Sequence, residues 1–241
     1  MSRPNKRQYA THKAESGHKR ENPLRDVILG GQDGLVNSLG IILGVSAVSD
    51  DVHILIATVL AALFAESIAM GAVAYTSAIA QKDYYEAERK KEEWEVDNQP
   101  EMEREEVREI YAEKGFSGKV LDEIVQTLTA NKKIWVDIMM KEELNLQPVE
   151  TRAVLKSAVI VFFATAIGHF LPLIPFFFTA HLQAVILAIV ISGLTLFGTG
   201  VYQAVTLIGS WWKVGLKMVL IGLGAATIGY FIASLFHTGV G

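Results

Sequence analysis

The chain has 241 residues, of which 51% are hydrophobic, and it contains no cysteine. The lack of cysteine excludes disulfide-bonded folds, thiolate metal sites and thiol catalysis. The net charge of −4 conceals a strong segregation: positions 1–25 carry seven basic and two acidic residues, positions 82–150 carry eleven basic and nineteen acidic residues, and positions 151–241 carry no acid. The apolar residues fall in about five runs of roughly 20 residues, the length of a membrane-crossing helix. The sequence therefore predicts an all-α, polytopic membrane protein.

Five transmembrane helices follow one another in two groups, separated by a polar insert. We predict a basic cytosolic tail and no signal peptide at the start, because the first residues contain no apolar run. The predicted regions are the tail at 1–25, helices one and two at 26–81, an acidic helical insert at 82–150, and helices three to five at 151–241. The individual spans are predicted at 26–48, 53–81, 153–178, 182–208 and 214–236.

Basic residues at the ends of these spans predict their orientation. Lys and Arg are concentrated in short flanks on the cytosolic side of membrane proteins. With five crossings, the tail, the flank at Arg152 and Lys156, and the turn at Lys213 and Lys217 all fall on one side. We therefore expect the N-terminus and the insert in the cytosol and the C-terminus on the other side.

Two acids lie inside the first two spans, where a charged side chain is costly unless it faces a pore or a partner. Asp33 and Asn37 are four residues apart in the first span, and Glu66 and Met70 have the same spacing in the second. Residues at that spacing share one face of a helix. These four side chains are predicted to line a transport path, and the thioether would favour softer ions such as Fe²⁺ over Mg²⁺ or Ca²⁺. The alternative is that Met70 fills space and Asp33 bonds to the backbone or to Asn37.

The insert repeats carboxylates and thioethers at helical spacing, a pattern that helical bundles use to bind metal ions. Glu-rich helices are also typical of solvated surfaces, so both interpretations stay open on spacing alone. The candidate metal ligands are Glu92, Glu95, Glu103, Glu106, Met139, Met140 and Glu143.

Small residues and one histidine in the spans have a structural and a functional interpretation. Gly30, Gly34, Gly40 and Gly44 form two small-xxx-small steps, which allow close helix packing within one chain or at a dimer seam. His169 precedes Pro172 and Pro175, which should kink or end the third span. A single intramembrane histidine is more often a packing residue than a ligand.

Several blocks, in order, resemble the vacuolar iron transporter family of proton-coupled ferrous iron and manganese exporters. They are GGQDGLVNSLGIILGV, AESIAMGAVAY, WVDIMMKEELNL, GHFLPLIPFF and SWWKVGLKMVLIGLGAATIGYFI, and the resemblance extends over about 26–236. It implies a homodimer of five-span chains with a cytosolic metal-binding insert, in a plasma membrane if prokaryotic or a vacuolar membrane if eukaryotic. The family's first-span aspartate corresponds to Asp33 and its second-span methionine to Met70, and its insert ligands correspond to the seven residues given above.

One position departs from the resemblance. Many members have a glutamate shortly after the methionine, where this chain has Ala74 before Tyr75. Either a ligand or proton carrier is missing here, or Glu66 takes that role from one turn before Met70.

The sequence thus predicts a transporter that exports Fe²⁺, and Mn²⁺ or related ions, in exchange for protons, with the metal as substrate and no prosthetic group. Its expected partners are metal ions, the bilayer and a second copy of the chain, without nucleic acid. The alternative is a membrane-anchored protein that binds or senses cytosolic metal without transport. An enzyme is not expected, because no serine lies in a nucleophile elbow and, apart from Asp26 at the very start of the first span, no span contains a second aspartate for paired-carboxylate chemistry.

Overall fold

A computed structural model describes residues 23–206 and 209–237. Most of the predicted basic tail and the last residues of the predicted fourth span lie outside these ranges. The described chain forms eight α-helices, which are α1 (Pro23–Ser46), α2 (Val52–Asn98), α3 (Pro100–Glu113), α4 (Gly118–Thr129), α5 (Lys132–Ile138), α6 (Thr151–Leu173), α7 (His181–Thr206) and α8 (Trp211–His237). A π-helical turn, Met139–Glu143, follows α5, and a 3-10 turn, Ile174–Phe177, follows α6. No β-strand occurs in these two ranges.

Five of the helices, α1, α2, α6, α7 and α8, are long and apolar enough to cross a membrane. Large apolar side chains cover their outer surfaces; Phe64, Leu194 and Phe231, for example, are each more than 60% exposed. A helix satisfies its own backbone hydrogen bonds, so it can present such a surface to lipid. The prediction of an all-α, multi-pass membrane protein is confirmed.

Contacts divide the chain into two compact units: one comprises 1–72 and 157–241, within the described ranges, and the other is Val73–Lys156. We call the first the span unit and the second the lobe. Helices α2 and α6 each have residues in both units.

Glycines bring α1 into close contact with two other helices of the span unit. A Cβ at Gly30 would lie 2.7 Å from the carbonyl oxygen of Val161, and a Cβ at Gly34 would collide with that of Thr165. Gly40 and Gly44 face α8, at Ala226 and Ala233. All four glycines of the predicted steps therefore pack within one chain, and they give no support to the dimer-seam interpretation.

The ends of the long helices follow local rules. Asp51 caps α2, since its Oδ1 accepts a hydrogen bond of 2.8 Å from the backbone N–H of His53. The helix then runs unbroken to Asn98, as the absence of a proline predicts. Helix α6 ends at Leu173, one residue after Pro172, and the chain continues as a 3-10 turn, so the proline pair ends the helix as expected.

The lobe has its own apolar core. Its buried members are Val96, Val107, Leu121, Val125, Trp135, Val136, Met139 and Met140. Within the lobe, the patterns FSGKVLDEIVQTLTANKK and IWVDIMMKEELNL predict helices over 116–133 and 134–146, whereas the structure has α4 at Gly118–Thr129 and α5 at Lys132–Ile138. The side chain of Asn131 accepts hydrogen bonds from the backbone N–H groups of Lys133 and Ile134, and this cap starts α5 two residues before the predicted position.

Candidate functional site

The four residues of the predicted path are arranged around Glu66 of α2. The amide of Asn37, on α1, donates a hydrogen bond to Oε1 of Glu66. Asp33 lies one turn before Asn37 and is an electrostatic neighbour of Glu66. Met70 lies one turn after Glu66 and is half-buried. The structure therefore brings the polar faces of α1 and α2 together, whereas the i, i+4 spacing had predicted only that each pair shares one face of its own helix.

A third helix contributes a residue that spacing alone did not assign to the path. Nε2 of His169, on α6, lies 2.7 Å from Oε2 of Glu66. His169 is fully buried, whereas the Glu66 side chain is 24% exposed. Packing alone therefore does not describe His169, because its ring also contacts the carboxyl group of Glu66. Its only signal in the sequence was a polar residue one turn before a proline pair inside an apolar run.

Asp33 also lines an open groove of the span unit, with a volume of about 670 Å³. Apolar residues of α1 and α8 form most of its wall, and the polar groups of Arg25, Gln32 and Gln203 lie among them. Asp33 therefore borders an open groove and is also an electrostatic neighbour of Glu66.

In the lobe, five of the predicted ligands are electrostatic neighbours, and they are Glu92, Glu95, Glu103, Glu106 and Glu143. Burial is the largest cause that raises the pKa of Glu92 to about 7, followed by repulsion from Glu143 and Glu95. Burial likewise raises the pKa of Glu103 to about 7, and repulsion from Glu106 is the next cause. One oxygen of each, Oε2, is buried without a hydrogen-bond partner. Such a cluster favours neutralisation by a proton or by a cation.

The two candidate methionines lie in the π-helical turn that follows α5. Met139 is 0% exposed and Met140 is 1% exposed, within the apolar core of the lobe. Glu143, at the end of the same turn, is exposed as a residue, but partial desolvation of its carboxyl group, followed by repulsion from Glu106, raises its pKa. π-Helical turns are rare in proteins, and those that do occur often lie at functional sites. Sequence spacing predicted that these residues lie within one turn, but not that the turn is π-helical.

The neighbouring Glu142 does not share the properties of this cluster. Lys114 and Lys141 both contact its carboxylate, and hydrogen bonds from these two lysines lower its pKa to about 2. This carboxylate is therefore already neutralised by the protein itself. The pairing with Lys114 joins positions 28 residues apart, and the sequence alone did not reveal it.

Neither group of residues is a formed coordination shell. Within residues 23–206 and 209–237, no three histidine, aspartate or glutamate side chains are close enough together to hold one ion. The lobe instead holds buried, mutually repelling carboxylates, and the span unit holds a carboxylate paired with an amide and an imidazole. An ion would recruit further ligands from side-chain rotation, water or another chain.

Comparison with known proteins gives one consistent result. Residues 24–234 match the profile of the VIT family. A protein named vacuolar iron transporter 1 from Tulipa gesneriana is 35% identical over 178 residues, which are 73% of this chain and 72% of the relative. Vacuolar iron transporter 1 of Arabidopsis thaliana is 32% identical over 195 residues, or 80% and 78% of the two chains. The vacuolar iron transporter of Toxoplasma gondii is 33% identical over 240 residues, or 95% and 80%.

Proposed function

The chain belongs to the VIT family, and from this premise we propose that it exports Fe²⁺, and Mn²⁺ or related divalent ions, from the cytosol in exchange for protons. The protein is a multi-pass membrane transporter of metal ions and not an enzyme. The metal is its substrate. The observation that carries the proposal is the polar group formed by Asn37, Glu66 and His169 inside three membrane-spanning helices. Buried polar groups of this kind mark ion pathways, because a purely structural span does not need them.

In the proposed mechanism, the lobe lies in the cytosol and collects metal. The carboxyl groups of Glu92 and Glu103 each have one oxygen without a hydrogen-bond partner, and these oxygens are proposed to bind the cation. The thioethers of Met139 and Met140, in the apolar core of the same lobe, would favour Fe²⁺ over harder ions such as Mg²⁺. Glu95, Glu106 and Glu143 complete the proposed ligand set.

The path itself is proposed to use Asp33, Asn37, Glu66 and Met70 to replace part of the ion's hydration shell. We expect a second copy of the chain to complete it, because Asp33 borders a groove that opens on the surface of one chain. After release of the ion, protons would neutralise the emptied carboxylates and carry the opposing current. Ala74 leaves no carboxylate one turn after Met70, so Glu66 is the proposed proton carrier.

Transport is tested with the full chain in proteoliposomes that contain a pH dye. We expect Fe²⁺ and Mn²⁺ to enter with opposing proton movement, Mg²⁺ to be excluded, and Asp33→Ala and Met70→Ala to abolish entry. Binding of metal without any movement across the membrane would favour the anchored metal-binding or sensing protein. Movement that survives both substitutions would refute the proposed path.

Direction and topology are tested in cells. Cells that express the chain should retain less iron than cells that express Asp33→Ala. Since the chain has no cysteine, single cysteines report sidedness without background. An impermeant maleimide should label Asp50→Cys, in the loop between α1 and α2, and should not label Ser117→Cys, in the lobe. The reverse pattern would place the lobe outside.

A further inference from the structure

The two ring nitrogens of His169 have different environments. Nδ1 lies 3.1 Å from the backbone carbonyl oxygen of Thr165. A carbonyl oxygen only accepts hydrogen bonds, so Nδ1 must carry the proton of this contact. In a neutral imidazole, Nε2 then carries a lone pair and no hydrogen. This nitrogen is buried and has no hydrogen-bond partner.

Nε2 lies close to a carboxylate oxygen. Oε2 of Glu66 is 2.7 Å away, but the approach lacks the geometry of a hydrogen bond. Oε1 of the same carboxylate is already bonded by Asn37. Two electron-rich atoms at this distance repel each other unless a proton or another cation neutralises one of them, so the site can take up a cation beside Nε2 and Oε2. Metal-binding histidines almost always donate their other N–H to a carbonyl or carboxylate, as His169 does to Thr165.

The surrounding backbone holds the imidazole in this orientation. A Cβ at Gly34 would lie 2.7 Å from Nδ1, so α1 packs directly against the ring at a position where only glycine leaves space. The hydroxyl of Ser38 donates a hydrogen bond of 2.9 Å to the backbone carbonyl of His169. The ring is therefore oriented before any ion arrives, which is the condition for an effective ligand.

We propose that His169 is a nitrogen ligand of the transported ion, which binds beside Nε2 of His169 and Oε2 of Glu66 within the spans. This inference rests on the proposed function, because it assigns a further ligand to the same path. An imidazole and a carboxylate together favour Fe²⁺, Zn²⁺ and Co²⁺ over Mg²⁺ and Ca²⁺. The span site would thus select against hard ions independently of the thioethers in the lobe.

A magnetic measurement on the full chain tests the assignment directly. The lobe contains no histidine between positions 82 and 150, so imidazole nitrogen coupled to a bound ion cannot come from it. With Mn²⁺ as the paramagnetic probe, we expect electron spin-echo modulation from imidazole ¹⁴N. The modulation should disappear in His169→Asn and persist in the matched control His181→Gln, which changes another histidine of the span unit.

Two substitutions separate a ligand from a positioning residue. In His169→Asn the amide can still bond to Thr165, so the helix contact is kept while Nε2 is lost. In His169→Gln the amide can reach Glu66 and hold it by a hydrogen bond. A ligand role predicts that both variants raise the KM for Fe²⁺ and Zn²⁺ transport by about tenfold or more. Full recovery of KM by His169→Gln, or nitrogen modulation that survives loss of His169, would overturn the proposal.

The inference and the proposed function fail in different ways. If the unmodified chain shows the His169-dependent modulation but moves no metal, the ligand stands and transport is wrong. If the chain moves metal but shows no nitrogen modulation, transport stands and the ligand assignment is wrong. A variant is included only if its size-exclusion profile matches that of the unmodified chain. If one of the two His169 variants does not fold, the modulation of the other is compared with that of the unmodified chain.

Discussion

The span unit and the lobe both bury carboxyl groups, but they compensate them differently. Glu66 has an amide partner on one oxygen and an imidazole beside the other. Glu92 and Glu103 each keep one buried oxygen without a partner and are surrounded by other glutamates. The difference indicates that the span site is arranged by the protein itself, whereas the lobe stays electrostatically unbalanced until it takes up protons or cations.

The largest expected effect is in the span unit. Glu66→Ala should lower metal transport by about two orders of magnitude, because truncation removes a path ligand and leaves the amide of Asn37 without its hydrogen-bond acceptor. Initial rates of Fe²⁺ entry into proteoliposomes measure this effect. Asp83→Ala, at an exposed position further along the same helix, is the matched control and should transport normally. Equal rates in the two variants would remove Glu66 from the path.

The next effect is in the lobe. Glu103→Gln should weaken metal binding by the full chain about thirtyfold, because a neutral amide is a poorer ligand for a divalent cation than a carboxylate. Titration calorimetry measures the affinity, and Glu109→Gln, an exposed change on the same helix, should leave it unaltered. Transport at saturating metal should fall less than in Glu66→Ala. An unchanged affinity would show that the lobe binds its ion elsewhere.

A smaller effect is the pH dependence of the metal-free lobe. A raised pKa in the folded state means that the stabilisation is complete below the ordinary glutamate pKa of 4.5 and is lost as the pH rises through about 7. The free energy of opening should fall by on the order of 2 kcal/mol between pH 5 and pH 8. Hydrogen exchange of residues 100–143, corrected for intrinsic rates, measures it. In Glu92→Gln with Glu103→Gln the dependence should fall to the smaller part that Glu143 contributes, and an unchanged slope would assign it to other groups.

The smallest effect concerns Glu142, whose carboxylate is already paired with Lys114 and Lys141. Lys114→Met should destabilise the lobe by less than about 1 kcal/mol, because the pair with Glu142 is partly exposed. Thermal melting measures the change, and Lys119→Met, at a side chain that is 90% exposed, should have almost none. A loss several times larger would mean that this pair, and not the apolar core, holds the π-helical turn.

Local pattern was sufficient to predict the helices and the faces on which the candidate residues lie. Apolar runs of about 20 residues predicted five spans, and the i, i+4 pairs placed Asp33 with Asn37 and Glu66 with Met70. Both features belong to a single helix, so they can be read from neighbouring positions. The break at Pro172 was predictable for the same reason, since proline acts on its own backbone.

The tertiary structure decided which faces meet. The partners of Glu66 come from α1 and α6, and the contact with His169 joins positions 103 residues apart. Which helix fills the space at Gly34 depends on packing between helices, as does the neutralisation of Glu142 by Lys114. Helical periodicity fixes the direction of a side chain about its own axis, but not the identity of the neighbour it meets. The sequence by itself therefore determined the five spans and the candidate ligands, and only the packing of the helices decided that an imidazole stands beside the path carboxylate.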